Sequence, residues 1–297
     1  MTPRGLAGWA ILGCAAVALG NFAAFPASSA KPFFAKPLLL AAHRGGASLW
    51  PENTIEAYKS AVAQWPDILL EGDVQLTADG AVVLLHDDAV DDTTDGAGRV
   101  ADMTLAQVKA LDAGYRFTPD KDQTFPYRGK GITIPLFSEA LAAVPDSRFL
   151  IELKPQSGIA EATVKVLQES RALDRVILAS FNPALMYKAR KMEPNLLSCY
   201  DLIDGTDMLI QLRNGHWDAY QPVADMLAVD TRLLAGFQVK PEELRAIRDK
   251  GIAVLVHTIN DPETMRLYLD LGINSILTDR PNVLADVIAQ RFSQERR

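Results

Sequence analysis

The sequence predicts an α/β fold whose strands share one parallel sheet, close in number to an eight-stranded barrel. Three observations predict it. From Pro37 onward, short apolar runs alternate with amphipathic stretches; the runs are apolar throughout rather than at every second residue; and most intervening stretches carry helix start or stop signals. Strands joined by helices run parallel, because a parallel crossover needs a connection long enough to hold one. Uninterrupted apolarity suits strands covered on both faces.

The first candidate strand, LLLAAH (38–43), ends in His43 and runs directly into Arg44-Gly45-Gly46. Asn53 or Thr54 can cap the following helical stretch, IEAYKSAVAQW. DILLEGDV (67–74) and AVVLLH (81–86) come next, with the turn signal TADG (77–80) between them. No crossover helix fits there, so these two form an antiparallel hairpin, which explains why nine strand candidates exceed the eight of a barrel. A two-residue turn at Asp79-Gly80 would set Asp73 opposite His86 and bring Glu71, Asp73 and His86 to one face.

Residues 87–135 break the rhythm. They are rich in turn formers, hold a single helix candidate, TLAQVKALD, and read as an insertion over the mouth of the domain. The strands RFLIEL (148–153), RVILAS (175–180), LLSCY (196–200), MLAVD (226–230), IAVLVHT (252–258) and NSILTD (274–279) then complete the series. Pro241 and Pro262 occupy first-turn positions of EELRAIRDK and ETMRLYLDLG, and Gly251 and Gly272 stop those helices.

Composition narrows the function. A net charge of −7 without a basic block argues against a nucleic-acid partner. Cys14 and Cys199 imply no disulfide framework. Residues 6–25 are apolar and uncharged, with Arg4 before them. They fit a signal peptide cleaved at ASSA (27–30), or a single membrane anchor. Residues 1–36 are therefore set apart from a body at 37–297, and an exported or membrane-anchored protein of the periplasm or cell envelope is expected.

The body holds the chemistry. His43 and His86 each end an apolar run beside charged groups, which suits acid–base work better than the alternative of strand-edge residues bonded to backbone. His216, in NGHWD, reads as a loop residue, and His257, in a strand-like run, receives no role. Glu71 and Asp73 point the same way on one strand, and Glu152 and Lys154 repeat that spacing. Like charges in a buried strand are costly unless compensated. One compensation is a salt-bridge network with Lys154 and Arg44. The preferred one is a hard divalent cation on Glu71, Asp73 and Glu152, since carboxylates without cysteine suit Mg²⁺ or Ca²⁺ rather than zinc. DDTTDG (91–96) superficially suggests a calcium loop, but Asx turns explain it more simply.

Several separated motifs carry a resemblance: AHRGGASLWPENTIEAY (42–58), EGDVQLTADG (71–80), VVLLHDD (82–88), TTDGAGRVADMTLAQVKALDAG (93–114), IELK (151–154) and ILTDRP (276–281). In this order, from about Leu39 to Pro281, they resemble the glycerophosphodiester phosphodiesterase family. The resemblance implies a TIM (β/α)8 barrel with an insertion after the third strand motif. It implies a His43–His86 catalytic pair, metal carboxylates at Glu71, Asp73 and Glu152, and phosphate-binding cations at Arg44 and Lys154. The activity it implies is metal-dependent hydrolysis of glycerophosphodiesters to an alcohol and glycerol 3-phosphate. His43 would serve as base and His86 as acid, and the nucleophile would be water or the adjacent glycerol hydroxyl.

Similar proteins usually carry tryptophan where this chain has His257, in a strand that lines the substrate pocket, which leaves the leaving-group preference open. SLW before PENT also expands the loop after the first strand. Two other functions compete: lysophospholipase D-like action on membrane lysophospholipids, suggested by the apolar N-terminus and GYRFTPD…FPYRGKG, and a non-catalytic, membrane-tethered binding protein.

Overall fold

The computed structural model describes residues 31–295. Each of the nine strand candidates forms a strand. β1 (Leu40–Ala42) passes through a tight turn at His43–Gly45 to α1 (Ile55–Gln64), where the Thr54 side chain accepts from the Ala57 amide. β2 (Leu69–Leu76) and β3 (Val82–Leu84) form the hairpin, followed by the short α2 (Leu105–Lys109) and by α3 (Phe137–Ala143). Alternation then becomes regular: β4 (Arg148–Leu153), α4 (Ile159–Glu169), β5 (Val176–Ala179), α5 (Pro183–Met192), β6 (Leu197–Ser198) and α6 (Leu202–Arg213). β7 (Met226–Asp230) is followed by two helices, α7 (Thr231–Gly236) and α8 (Pro241–Asp249). β8 (Ala253–His257), α9 (Pro262–Asp270), β9 (Ser275–Thr278) and α10 (Pro281–Glu295) complete the described chain.

The strands lie in the order β6-β5-β4-β2-β1-β9-β8-β7, all parallel, with β3 antiparallel to β2 and outside that path. The two ends of the path meet at one parallel bridge, Cys199 with Met226, where the Tyr200 amide donates to the Met226 carbonyl at 2.8 Å. β6 is two residues long, so closure there is slight. The result is a nearly closed eight-stranded TIM barrel, the expected fold, with the ninth strand accounted for by the hairpin.

Inward side chains of consecutive strands, Ala41, Leu69, Leu150, Ile177, Leu197, Met226, Leu255 and Leu277, fill the barrel. Phe33, 1% exposed, joins them from the segment before β1 and closes the end opposite the strand C-termini. Arg148, the first residue of β4, donates to the carbonyls of Phe33, Lys36, Pro37 and Asp67 and so fastens that segment. Two larger apolar clusters lie between sheet and helices, one under α1 and α3–α5, the other under α6–α10.

The hairpin register differs from expectation by one residue. Val74 pairs with Leu84 and Leu76 with Val82, which places Asp73 across from Leu85 rather than His86. The cause is the turn. The Gly80 amide donates to the Thr77 carbonyl, Gly80 is left-handed at φ 80°, and Thr77 faces Ala81. That makes a three-residue loop, a turn followed by a left-handed glycine, in place of the two-residue type.

Leu85 to Leu136 separate β3 from α3 and build a small core of their own from Leu85, Val90, Val100, Val108, Ala113, Ile132 and Ile134 on Val83. Asp91 accepts from the Gly98 amide and Asp95 from the Asp112 amide, so these acids serve as turn acceptors.

The apolar segment at 6–25 lies outside the described residues. Among the described residues no helix is long and apolar enough to cross a membrane. The longest, α10, has 15 residues where a span needs about 20. The expectation of an exported or membrane-anchored protein carrying a single N-terminal apolar segment is therefore corrected: the described residues contain no helix long and apolar enough to serve as such a segment.

Candidate active site

The C-terminal ends of β1, β2, β4 and β9 gather the charged residues. After β1 the chain turns at once. Arg44 (φ 50°), Gly45 (φ 84°) and Gly46 (φ 102°) are all left-handed, a run that only glycine adopts without strain. A side chain at Gly45 would press on Ala57 Cβ, 2.9 Å away. Arg44, which is not glycine, is fixed there by its neighbours: its amide donates to Glu71 Oε2 at 2.8 Å, and its carbonyl accepts from the Asn53 amide at 2.9 Å.

His43 begins this turn. Its Nδ1 lies 2.6 Å from Asp279 Oδ1, just past the end of β9. Asn260 holds that carboxylate in turn: its Nδ2 donates to Asp279 Oδ2 at 2.6 Å, while its Oδ1 accepts from the Asp279 amide. Burial alone would lower the His43 pKa, but the hydrogen bond to Asp279 and the charge of Glu71 outweigh it and raise the pKa. Burial would raise that of Asp279, and the same hydrogen bond holds it down. The acceptor at Nδ1 leaves Nε2 free for other chemistry.

The β2–β4 register sets Asp73 beside Glu152, with Glu71 two residues earlier on the same face. Asp73 is 1% exposed. Lys154 Nζ reaches its Oδ1 at 2.9 Å, Asn53 Nδ2 its Oδ2 at 3.1 Å, and Arg44 Nε approaches at 3.7 Å. Burial opposes ionisation, but the charges of Lys154, His86 and Arg44 hold Asp73 below the usual carboxylate range. Lys154 also meets Glu152 Oε1 at 3.2 Å. At Glu71 burial and the charge of Asp73 outweigh His43 and the Arg44 amide and push its pKa up to about 8. Burial likewise raises Glu152, against the pull of Lys154. Between the strands, Gly72 leaves room for Tyr58 and Asn53, since a Cβ there would run into the Tyr58 hydroxyl.

The salt-bridge network weighed from sequence is thus formed. Among the described residues no three His, Cys, Asp or Glu side chains stand ready as a metal cage; Lys154 bridges Asp73 and Glu152. The donor chemistry nevertheless fits a hard divalent cation. Asp73 and Glu152 stand side by side in register with Glu71 two residues earlier on the same face, and the carboxyl pushed to about 8 would be relieved by an added positive charge.

His86 reaches the same acids by a route other than strand pairing. The chain leaves β3 at Leu84, and Gln75 Nε2 donates to the carbonyls of Leu85, His86 and Asp87 at 3.2, 3.2 and 2.5 Å. His86 Nδ1 lies 2.8 Å from Asp87 Oδ1, and its charge acts on both Asp73 and Glu152. The structure therefore brings His43, Arg44, Glu71, Asp73, His86, Glu152 and Lys154 into one neighbourhood.

Sequence reasoning passed over the residues that hold these seven. Glu52 receives Arg44 Nη1 on both oxygens, at 3.0 and 3.1 Å. Asn53, Gln75, Asn260 and Asp279 perform the contacts given above. Glu52, Asn53 and Asp279 stand inside the quoted motifs PENT and ILTDRP, where a polar residue just beyond an apolar run was the available signal.

His43, Glu71 and Glu152 line an open cleft together with His257 and mostly apolar side chains. His257, paired in register with Asp230, is pushed down to about 4, chiefly by burial.

The sequence profile of the "Glycerophosphoryl diester phosphodiesterase family" matches residues 43–283. A glycerophosphodiester phosphodiesterase of Caldanaerobacter subterraneus is 31% identical over 260 residues, covering 84% of this chain and 97% of its own. One from Bacillus subtilis is 29% identical, covering 84% and 86%. Among solved structures, the glycerophosphoryl diester phosphodiesterase domain of a Mycobacterium tuberculosis protein superposes with a TM-score of 0.72 at 25% identity, covering 86% and 100%. An Oleispira antarctica phosphodiesterase, solved with the product sn-glycerol-3-phosphate, gives 0.68 at 27% identity, covering 85% and 97%.

Proposed function

We propose, because the chain belongs to the glycerophosphoryl diester phosphodiesterase family, that this site hydrolyses glycerophosphodiesters to an alcohol and glycerol 3-phosphate with a divalent cation and two histidines. The observation that carries the reading is the His43–Asp279 contact at 2.6 Å, in the same cleft as Glu71 and Glu152. A product complex in the Oleispira antarctica relative supports the substrate class.

A phosphodiester resists attack because its anionic oxygens repel nucleophiles. Arg44 and Lys154 would offset that charge from fixed positions. Glu71, Asp73 and Glu152 would hold the cation, Mg²⁺ or Ca²⁺, which when bound supplies further charge to the phosphate oxygens. His43, its Nδ1 proton directed at Asp279, takes the nucleophile's proton at Nε2. His86, oriented by Asp87 at Nδ1, returns a proton to the leaving alkoxide. The nucleophile is water or the neighbouring glycerol hydroxyl.

The test uses the purified full chain with glycerophosphocholine, following choline release under Mg²⁺, Ca²⁺ or chelator. His43→Ala and Glu71→Ala should each abolish most of the rate, and chelator should do so in the parent. Unchanged hydrolysis in both variants would overturn the assignment.

A further inference from the structure

Strand side chains alternate, so the residues two beyond the barrel-filling set form the next inward layer, at the mouth. On β1, β2 and β4 that layer holds His43, Glu71 and Glu152, above Ala41, Leu69 and Leu150. On β5 and β7 it holds Ala179 and Ala228, above Ile177 and Met226. β8 lies between β9 and β7 and contributes His257, above Leu255. His257 is thus the last polar side chain of this layer before the wall turns apolar on β7.

The other polar members of the layer are engaged. His43 has Asp279, Glu71 accepts from the Arg44 amide, and Glu152 meets Lys154. Among the described residues no group hydrogen-bonds the His257 imidazole. Its neighbour in register, Asp230, is already taken: the Arg232 amide, Nε and Nη2 donate to its two oxygens at 2.7, 2.9 and 2.7 Å. Neither ring nitrogen of His257 is sealed in the protein, and the side chain lines the cleft. Burial keeps the ring neutral, with its pKa pushed down to about 4. A neutral imidazole offers one donor and one acceptor, which matches a group that itself donates and accepts: a hydroxyl. Being uncharged, it does not compete with Arg44 and Lys154 for the phosphate.

Resting on the hydrolysis proposed above, we infer that His257 recognises the distal free hydroxyl of the retained glycerol moiety, the one farthest from phosphorus. The two catalytic histidines decide the side. His86 serves the leaving alcohol from the β3 side, where its charge acts on Asp73 and Glu152. The retained glycerol then lies on the side of His43, whose charge reaches His257 one strand beyond Asp279. The hydroxyl next to the phosphate-bearing carbon stays near His43, and the distal one extends to β8. His257 is a recognition residue and takes no part in proton transfer.

The experiment compares kcat/KM for choline release from glycerophosphocholine and from 2-hydroxypropyl phosphocholine, which keeps the neighbouring hydroxyl and has hydrogen in place of the distal one. Parent, His257→Phe and His257→Gln full-length chains are measured with Mg²⁺ or Ca²⁺. The parent should prefer glycerophosphocholine roughly tenfold, as expected when one neutral hydrogen bond goes unmade and its buried partner is left bare. In His257→Phe, which keeps a ring and loses both nitrogens, the preference should fall to within about twofold. In His257→Gln, which keeps a donor and an acceptor, it should stay above about threefold. A merely structural loss lowers both rates together and leaves their ratio unmoved. A parent preference within twofold overturns the inference without recourse to any variant. A preference kept in full by His257→Phe overturns it too, because another group would then read the hydroxyl. Hydrolysis of neither substrate by the parent overturns instead the reading on which the inference rests.

Discussion

His43 Nδ1 and Asp279 Oδ1 lie 2.6 Å apart although 236 residues separate them in the chain. β1 and β9 are adjacent in the barrel, so the first and last strands place the histidine and its carboxylate side by side. Asn260 fixes the carboxylate from the loop after β8.

Replacing Asp279 by Asn should lower kcat/KM by about 10²–10⁴-fold, the range expected when an acid–base group loses its orientation and charge support. The sign of the accompanying shift is fixed. Asp279 raises the His43 pKa against burial, so its removal lets burial lower that pKa. Whichever limb of the pH–rate profile His43 governs should move to lower pH. An unmoved limb would show that Asp279 does not act through His43.

Gln75 acts on the other histidine. One amide group donates to three successive carbonyls, 85 to 87, and sets the path of the chain through His86. Gln75→Leu should cost about 1–3 kcal/mol in denaturant unfolding, because buried carbonyls lose their donor. It should also cut kcat by about ten- to a hundredfold through misplacement of His86. KM should change much less. A proportionate rise in KM with kcat preserved would make Gln75 a binding residue instead.

His257 carries a pH-dependent cost. Its pKa falls from the ordinary 6.5 to about 4 in the folded protein. Below pH 6.5 the unfolded chain binds a proton that the native state refuses, so stability is present above 6.5 and is lost as pH falls towards 4. The loss attributable to this group is roughly 3 kcal/mol at most. His257→Phe should abolish that component, visible as a smaller difference between urea midpoints measured at pH 7 and pH 4.5. Equal differences in parent and variant would refute it.

Arg148 stabilises the end of the barrel remote from the chemistry. Its guanidinium serves four carbonyls, three of them in the segment that carries Phe33. Arg148→Met should lower unfolding free energy by about 2–4 kcal/mol while kcat of the folded enzyme stays within twofold or so of the parent. Arg148→Lys should restore little, since an ammonium cannot span four acceptors arranged for a planar fork.

Local pattern determined much of this protein. Apolar runs, proline and glycine punctuation and the absence of room for a crossover between Asp73 and His86 defined the strands, the hairpin and the parallel sense of the sheet, because those features depend on nearby stretches of chain. The motifs also marked out the seven charged residues at strand ends. Tertiary structure decided the rest. The hairpin register turned on one left-handed glycine, Gly80, which distinguishes a three-residue loop from a two-residue one. Asp279 and Asn53 acquired partners only when the sheet set β1 beside β9 and β2, whereas Glu52 meets Arg44 within the connection from β1 to α1. A chain codes its strands by period and its turns by residue type. Which side chains end up in contact across a barrel depends on strand order and stagger, which are properties of the whole sheet.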